Sequence, residues 1–249
     1  MSELVLPTKK VKAELINPRK LLLYSPPKAG KTTLVSELED SLLVDIDDGA
    51  GYVDAVKVKI NSLEDLGKLI KKVKDEGKPY KYGILDTVTV LEDMAKGLAL
   101  KMYRATPIGA KFGLNLKTGQ FEDKDILTLP NGAGYYWLRE AFFAIISQFD
   151  SAFEYKIYLG HLKDKMIDEE NDKVIAANVD LTGKIKSLMC AECDTIGYLY
   201  RKGNETHISF IPTDDVTCGS RSEHLRNQDI VVAEMTKDGY KAYWDKIYK

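Results

Sequence analysis

The feature that most constrains this chain is a short apolar segment, residues 20–25, that leads through a tight loop into an amphipathic segment beginning at Lys31. The stretch SPPKAGKT follows the phosphate-binding pattern G-x-x-x-x-G-K-[ST], except that Ser25 takes the place of the first glycine. A strand that turns in this way into a helix directs consecutive backbone N–H groups at one point. The sequence therefore predicts a buried strand followed by a phosphate-binding loop.

The loop contains the groups that phosphate chemistry needs, at the expected spacing. Lys31 supplies an ammonium for the terminal phosphates of a nucleotide, and Thr32 supplies a hydroxyl for Mg²⁺. Pro26 and Pro27 lack N–H groups, but they precede the main run of donors. We expect Ser25 to change the geometry or affinity of the loop without removing the cradle; a chance Gly-Lys-Thr in a strand-to-helix turn is the alternative. The predicted nucleotide-binding residues are Lys28, Ala29, Gly30, Lys31, Thr32 and Thr33.

Apolar runs alternate with longer amphipathic stretches along most of the chain, a pattern that favours an α/β fold with a mostly parallel central sheet flanked by helices. A C-terminal hairpin, made by 206–211 and the fifth strand, precedes a small tail. The predicted strands are 20–25, 42–47, 82–86, 156–161 and 195–200, with a short extra strand at 56–60. The predicted helices are 31–38, 63–76, 88–103, 135–149 and 181–190.

The chain is expected to contain an N-terminal arm (1–19), a core (20–212) and a C-terminal tail (213–249) that packs on the core. Two segments, 105–134 and 163–180, are predicted to be long irregular loops, which in compact domains are either functional or disordered. The tail ends in an aromatic cluster that we expect to pack a terminal helix against the core. The cluster consists of Tyr240, Tyr243, Trp244 and Tyr248.

Composition excludes several classes of protein. The formal net charge of −2 does not indicate a polyanion binder by bulk electrostatics, although 36 lysine and arginine residues leave room for a local basic groove. Three cysteines are too few for a disulfide framework, and no apolar run reaches the ~20 residues that span a bilayer. The first residues lack the features of a secretory signal. We therefore expect a cytoplasmic protein that does not enter a membrane.

Acidic side chains follow two of the predicted strands. In YGILDT, Asp86 ends a strand and is placed to hold the hydration shell of Mg²⁺ opposite Thr32. In LLVDIDDG, Asp45 and Asp47 share one face of a strand, and Asp47 and Asp48 emerge at its carboxyl end. A carboxylate there is suited to orient an attacking water, and a solvated strand end or a helix cap is the alternative.

The ordered motifs resemble the RecA-like P-loop ATPases. The series comprises the strand–loop–helix, LLVDIDDG, YGILDT, KIYLGHLKDK and LTGK followed by DTIGYLYR, and covers roughly residues 21–212. More narrowly, it resembles phage-encoded RecA-like proteins of single-strand annealing and recombination. The resemblance implies ATP and Mg²⁺ as ligands, ATP hydrolysis, binding of single-stranded DNA, assembly into a ring or filament, and the cytoplasm of a host cell as location.

The resemblance also implies catalytic roles for Lys31, Asp86, Asp47 and His161. RecA-like proteins commonly use a glutamate near the end of the strand after the P-loop helix to act on the water, and the candidate positions here are Asp45 and Asp47. Aspartate is one methylene shorter, so hydrolysis is expected to be slow, and a nucleotide-binding regulator or scaffold is the alternative. His161 ends the fourth strand, which in this topology lies between the P-loop strand and the Walker B strand. It is expected near the γ-phosphate, with a hydrogen-bonded core histidine as the alternative.

By the same resemblance, the two long loops are expected to bind DNA. Their lysines are placed to contact phosphates, and the aromatic run at 135–137 is available for base stacking. Packing of that run in the core is the alternative. Arg201 and Lys202 are expected to reach a neighbouring subunit's γ-phosphate, unless they are merely surface charges of a hairpin. The DNA-binding candidates are Lys111, Lys117, Lys163 and Lys165, with Tyr135, Tyr136 and Trp137 as stacking candidates.

Cys190 and Cys193 form a C-x-x-C motif without a second pair. A zinc site would need Cys218 and His224 from a tail that folds back on the motif. Cysteines packed in the core are the interpretation that the sequence favours.

Overall fold

The computed structural model describes residues 6, 8–168 and 173–249, and within that part it leaves the side chains of 164–168 and 173–176 undescribed. In this described part, eleven strands form one sheet and five α-helices flank it. The strands are β1 (Lys20–Ser25), β2 (Ser41–Asp45), β3 (Lys57–Lys59), β4 (Tyr82–Asp86), β5 (Tyr155–Asp168), β6 (Lys173–Val179), β7 (Thr195–Lys202), β8 (Glu205–Ser209), β9 (Gly219–Ser220), β10 (Asp229–Thr236) and β11 (Gly239–Ala242). The helices are α1 (Lys31–Ser36), α2 (Leu63–Asp75), α3 (Val88–Arg104), α4 (Ala133–Asp150) and α5 (Gly183–Glu192).

The sheet has the predicted mostly parallel centre. Its strand order is β11-β10-β8-β7-β1-β5-β4-β2-β3, and all strands from β7 to β3 in that order are parallel. β5 lies between β1 and β4, which confirms the expected position of the fourth predicted strand. Because parallel strands share a direction, the carboxyl ends of β1, β2, β4 and β5 meet at one edge of the sheet, where such folds bind ligands.

The central strands are buried on both faces, which explains their nearly continuous apolar sequences. In β1, Leu22 and Tyr24 face a core shared with α2, α3, α4 and α5. Leu21 and Leu23 face a second core that contains α1 and the C-terminal residues. Side chains alternate across a strand, so a single leucine-rich segment serves both cores. This two-sided packing fixes the position of the loop that follows β1.

The strands at 20–25 and 82–86 were predicted to the residue, and each other predicted element overlaps an observed one. The predicted hairpin is confirmed, because β8 pairs antiparallel with β7. Segment 105–134 contains turns, two 3₁₀ turns and one isolated bridge, as its glycines and prolines indicate. Arg104 orders this segment by donating to the carbonyl oxygens of Phe112 (3.0 Å) and Glu122 (2.8 Å).

Segment 163–180 corrects the sequence prediction, because it is not an irregular loop. β5 continues to Asp168, and β6 returns antiparallel to it, so the segment is largely a β-hairpin. The many charged residues of this stretch obscured the β-branched residues Val174, Ile175 and Val179. Such residues favour strands even where charged neighbours suggest an exposed loop.

The tail also differs from the prediction, since strands and 3₁₀ turns take the place of the expected terminal helix. β10 pairs with β8, and β11 pairs with β10, so the tail extends the sheet. The aromatic cluster ends in a 3₁₀ turn at Trp244–Lys246, and Trp244 Nε1 donates to the Leu34 carbonyl oxygen of α1 at 2.9 Å. The sequence DIVVAEMT is rich in β-branched residues, which the aromatic pattern overshadowed. Among the described residues, no helix has the length and apolar character required to cross a membrane.

Candidate nucleotide site

The loop between β1 and α1 turns through two left-handed residues. Lys28 has φ 62° and Gly30 has φ 98°, and Gly30 is the residue before the first turn of α1. A Cβ built on Gly30 meets nothing within 4 Å, so its backbone conformation, and not a lack of space, favours glycine here. The loop borders an open cleft of about 340 Å³. The cleft is lined by all six predicted nucleotide-binding residues together with Pro27, Asp47, Gly49, Asp86, Thr87 and His161.

Lys31 is the buried cation of the cleft, with 8% of its surface exposed. Its Nζ donates to Ser25 Oγ at 3.0 Å. Burial lowers the pKa of Lys31 from its ordinary value, because a charged ammonium is costly to desolvate, while the carboxylates of Asp86 and Asp47 oppose that shift. An anion bound beside Lys31 would therefore compensate for the hydration that its ammonium loses on burial.

Thr32 and Asp86 bring two oxygen groups together across the cleft. Thr32 Oγ1 donates to Asp86 Oδ2 at 2.7 Å, and Asp86 is almost fully buried at the end of β4. Burial raises the pKa of Asp86, whereas the bond from Thr32 and the charge of Lys31 act in the opposite direction. A hydroxyl and a carboxylate are oxygen ligands of the kind that Mg²⁺ prefers. The pair therefore fits the metal that such a site implies.

The three aspartates at the carboxyl end of β2 have different environments. Asp45 is buried and accepts from the backbone N–H groups of Gly49 (3.2 Å) and Ala50 (3.1 Å), so it stabilises the following turn. Asp48 is exposed and pairs with Lys59 at 2.6 Å. Only Asp47 of these three lines the cleft. Asp45 therefore caps the following turn and Asp48 is a solvated residue beyond the strand, which are the two alternatives that the sequence left open. Asp47 remains the candidate for contact with water.

His161 lies beside Asp47 at the edge of the cleft. Its Nε2 is 3.0 Å from Asp47 Oδ2, and its backbone N–H donates to Thr89 Oγ1 at 3.1 Å. About one third of each side chain in the His161–Asp47 pair is exposed. His161 is thus a partly exposed partner of Asp47 and does not belong to the core.

The predicted DNA-binding and interface residues whose side chains the structure describes are not among the residues that line this cleft. Lys111 and Lys117 are exposed in segment 105–134, and exposed Lys163 lies 3.8 Å from Asp180. The side chain of Lys165 falls outside the described part of the structure. Arg201 and Lys202 are exposed at the carboxyl end of β7, which pairs with β1. They therefore occupy the same edge of the sheet as the cleft.

A second cavity, of about 520 Å³, lies between the first turns of α4 and α5. Tyr135 and Tyr136 are about half exposed at its wall, whereas Trp137 packs against Tyr103, so the packing alternative holds for the tryptophan alone. The sequence analysis missed two cations of this cavity. The cavity is lined by Gly132, Tyr135, Tyr136, Arg139, Thr182, Gly183, Lys184 and Ile185.

Two signals in the sequence could have identified those cations. Arg139 follows the aromatic run closely, and Lys184 ends the motif LTGK. The Arg139 guanidinium lies 5.2 Å from the centre of the Tyr136 ring.

The Thr182 backbone N–H donates to both carboxylate oxygens of buried Glu92, at 3.2 and 3.0 Å, which ties α3 to the start of α5.

The cysteines are consistent with the core interpretation. Cys190 is half-buried, Cys193 and Cys218 are buried, and all three are free thiols. Burial raises the pKa of Cys218 to about 11. Among the described residues, no group of three or more histidine, cysteine, aspartate or glutamate side chains is arranged to hold a metal ion.

Comparison with known proteins identifies one family. No curated protein matches the chain. Among solved structures, 254 chains are similar, including one described as the crystal structure of the RadB recombinase. That structure aligns over 92% of each chain with 10% identity and a TM-score of 0.46. A family model described as an AAA domain matches residues 17–222. Because this match spans most of the sequence, the chain belongs to the AAA-domain family.

Proposed function

We propose that the protein binds ATP in the cleft beside β1 and hydrolyses it with Mg²⁺. The observation that carries the proposal is the convergence of Lys31, Thr32 and Asp86 in one cleft, with the Thr32 and Asp86 oxygens 2.7 Å apart. AAA and RecA-like domains are generally ATPases, and membership of the family supports the same reaction. The reaction is the in-line attack of water on the γ-phosphorus.

Five side chains of the cleft have a role in this proposal. Lys31 stabilises the negative charge of the terminal phosphates, and the loop N–H groups orient them. Thr32 and Asp86 would hold Mg²⁺, which would supply positive charge near the phosphates. Asp47 orients the attacking water and accepts its proton, and His161 keeps the Asp47 carboxylate in place through the 3.0 Å contact.

The test of this reaction is ATP turnover in Lys31→Ala. Removal of a charge-stabilising donor is expected to lower turnover by about 100-fold or more. Lys71→Ala is the matched control, because Lys71 is an exposed lysine of α2, away from the cleft. Turnover in Lys31→Ala that equals the wild-type rate would exclude the assignment of the site.

We further propose that the cavity between α4 and α5 binds single-stranded DNA. Tyr135 and Tyr136 present exposed rings for base stacking, and Arg139 and Lys184 lie beside them for backbone phosphates. The lysines that the sequence predicts as phosphate contacts belong to the same proposal: Lys111, Lys117, Lys163 and Lys165. The corresponding process is recombination or single-strand annealing of the phage type. Fluorescence anisotropy with a labelled oligonucleotide tests the proposal, and equal affinity for duplex DNA would count against it.

Self-association into a ring or filament is part of the same proposal. Arg201 and Lys202 are exposed at the sheet edge that carries the cleft. In a ring or filament, their charges would contact the γ-phosphate of a nucleotide bound by a neighbouring subunit. Sedimentation with and without ATP and single-stranded DNA tests assembly. A monomer under all four conditions would contradict it.

A nucleotide-binding regulator or scaffold with little hydrolysis is the second candidate. It is favoured by the short side chain of Asp47, whose Oδ2 is already engaged by His161 at 3.0 Å. A carboxylate held in this way has less freedom to reach a water at the γ-phosphorus. Tight ATP binding without turnover would support the regulator, and substantial turnover would exclude it.

A further inference from the structure

Thr87 lines the nucleotide cleft but has no role in the reaction proposed above. It directly follows Asp86 at the end of β4, and only 1% of its surface is exposed, so it belongs to the floor of the cleft. Two hydrogen bonds fix its surroundings: the Asp86 carbonyl oxygen accepts from the Asp47 N–H at 3.1 Å, and the His161 N–H donates to Thr89 Oγ1 at 3.1 Å. Thr87 therefore ends the strand that lies between the strand leading to Asp47 and the strand containing His161.

The Thr87 hydroxyl has a partner for its oxygen but none for its hydrogen among the described residues. Its Oγ1 accepts from the Val90 N–H at 3.4 Å, which makes Thr87 the residue that caps α3. Between described residues, no hydrogen bond is donated by this hydroxyl. The other two threonines of the cleft differ, because Thr32 donates to Asp86 and Thr33 is partly exposed to water. A buried donor without an acceptor is costly, so an acceptor oxygen in the cleft would stabilise it.

The amino end of α3 favours negative charge at the same place. This helix is 17 residues long, begins directly after Thr87 and has no acidic side chain in its first turn. The first N–H groups of a helix lack partners within it and carry partial positive charge, which attracts anions. Asp47 and Asp86, by contrast, can only accept hydrogen bonds when they are ionised, and they repel a phosphate oxygen. Thr87 thus supplies a neutral donor between two carboxylates, at the positive end of a helix.

We propose that the Thr87 hydroxyl donates a hydrogen bond to an oxygen of the terminal phosphate of bound ATP. The proposal rests on the ATP-binding function proposed above, in which Asp47 and His161 act beside the γ-phosphorus. Phosphate oxygens are acceptors, so they match the unpaired hydrogen of Thr87, and their charge matches the amino end of α3. ADP lacks the γ-phosphate. Thr87 is therefore a residue that distinguishes ATP from ADP.

The test compares two affinities, for Mg·ADP and for Mg·AMP-PNP, an ATP analogue that is not hydrolysed, by titration calorimetry. Thr87→Val keeps the shape of the side chain without its hydroxyl, and it is expected to bind AMP-PNP about tenfold more weakly, with ADP affinity within about twofold of the wild type. Thr87→Ser retains the hydroxyl and should restore the wild-type ratio of the two affinities. Thr87→Ala, which also lacks the hydroxyl, gives the same comparison if Thr87→Val does not fold.

Ser62→Ala is the matched control for the loss of a helix cap. Ser62 caps α2 by accepting from the Asp65 N–H at 3.1 Å, and it does not line the cleft. Its removal should lower the melting temperature, as the loss of the Thr87 cap does, without a change in the ratio of the two affinities. An unchanged ratio in Thr87→Val would overturn the Thr87 assignment alone, since capping does not depend on the γ-phosphate. A wild type that binds neither nucleotide would overturn the proposed function and this assignment together.

Discussion

The cleft beside β1 and the cavity between α4 and α5 are built from different chemistry. In the cleft, buried polar groups are hydrogen-bonded to one another, as in the contacts of Lys31 with Ser25 and of Thr32 with Asp86. In the cavity, half-exposed tyrosine rings stand beside cations on the first turns of two helices. Preorganised polar groups suit a compact charged ligand whose position decides a reaction. Exposed rings and cations suit a flexible polyanion and tolerate variation in its position.

One structural path joins the two sites. α3 begins two residues after Asp86, and buried Glu92 of α3 accepts from the Thr182 N–H at the start of α5. Thr182 also lines the cavity, so α3 starts beside the cleft and contacts the wall of the cavity. The comparison of the two sites thus leads to variants that affect one site and spare the other.

The largest expected effect on the cavity comes from removal of both tyrosine rings. Tyr135→Ala combined with Tyr136→Ala is expected to weaken binding of a single-stranded oligonucleotide by about 100-fold, because stacking contributes about 1–3 kcal/mol per base. The affinity for ADP should remain unchanged. Anisotropy and calorimetry on the same preparations measure the two values, and Phe112→Ala is the control for loss of an aromatic side chain in the neighbouring segment. Loss of ADP binding together with DNA binding would show that the cleft and the cavity are not separate sites.

The variant Asp86→Asn should affect the cleft and spare the cavity. Removal of the carboxylate charge that positions the metal is expected to lower Mg²⁺-dependent turnover by about 10- to 100-fold. Oligonucleotide affinity without nucleotide should stay at the wild-type value. A titration of turnover against Mg²⁺ concentration measures the effect, and Asp93→Asn on the exposed side of α3 serves as control. A normal Mg²⁺ requirement in Asp86→Asn would remove Asp86 from the site.

A smaller change is expected when Asp47 is replaced by the longer carboxylate. Asp47→Glu should raise turnover several-fold, since the added methylene brings the oxygen towards the position of the attacking water, whereas Asp47→Asn should lower it by about 100-fold. Asp48→Glu is the control, because Asp48 pairs with Lys59 outside the cleft. Steady-state kinetics with saturating ATP measure both variants. Equal rates in Asp47→Asn and the wild type would show that Asp47 does not act on the water.

The smallest expected effect is on the salt dependence of DNA binding. Arg139→Ala and Lys184→Ala should each reduce by about 1 the slope of the logarithm of DNA affinity against the logarithm of salt concentration, because each removes about one phosphate contact. Lys96→Ala, on α3, is the control. An unchanged slope in both variants would place the backbone of the strand elsewhere.

The parts of this molecule that were predictable from sequence are those determined by local pattern. β1 and β4 were predicted to the residue, because burial on both faces leaves an apolar run that ends sharply at Ser25 and at Asp86. Lys31 and Thr32 were predicted from their spacing in the loop. In β6 and β10, by contrast, charged or aromatic neighbours obscured the strand signal. Pairing of β6 with β5 and of β10 with β8 decided the structure there.

Within the candidate site, the sequence could not separate the aspartates after β2. The role of Asp45 depends on where the N–H groups of Gly49 and Ala50 point once the chain has turned, which no spacing rule contains. Arg139 and Lys184 were missed for a related reason. They come from different helices, and only the packing of α4 beside α5 brings them to one cavity.

The most direct test of the account is ATP hydrolysis with Mg²⁺, measured with and without single-stranded DNA, in the wild type and in Lys31→Ala. The account predicts wild-type turnover that rises when DNA is added and turnover in Lys31→Ala that is lost in both conditions. That result would show that the cleft and the cavity act together in one DNA-dependent ATPase. Tight ATP binding with no turnover in either condition would contradict it, and would favour the regulator that binds nucleotide without hydrolysing it.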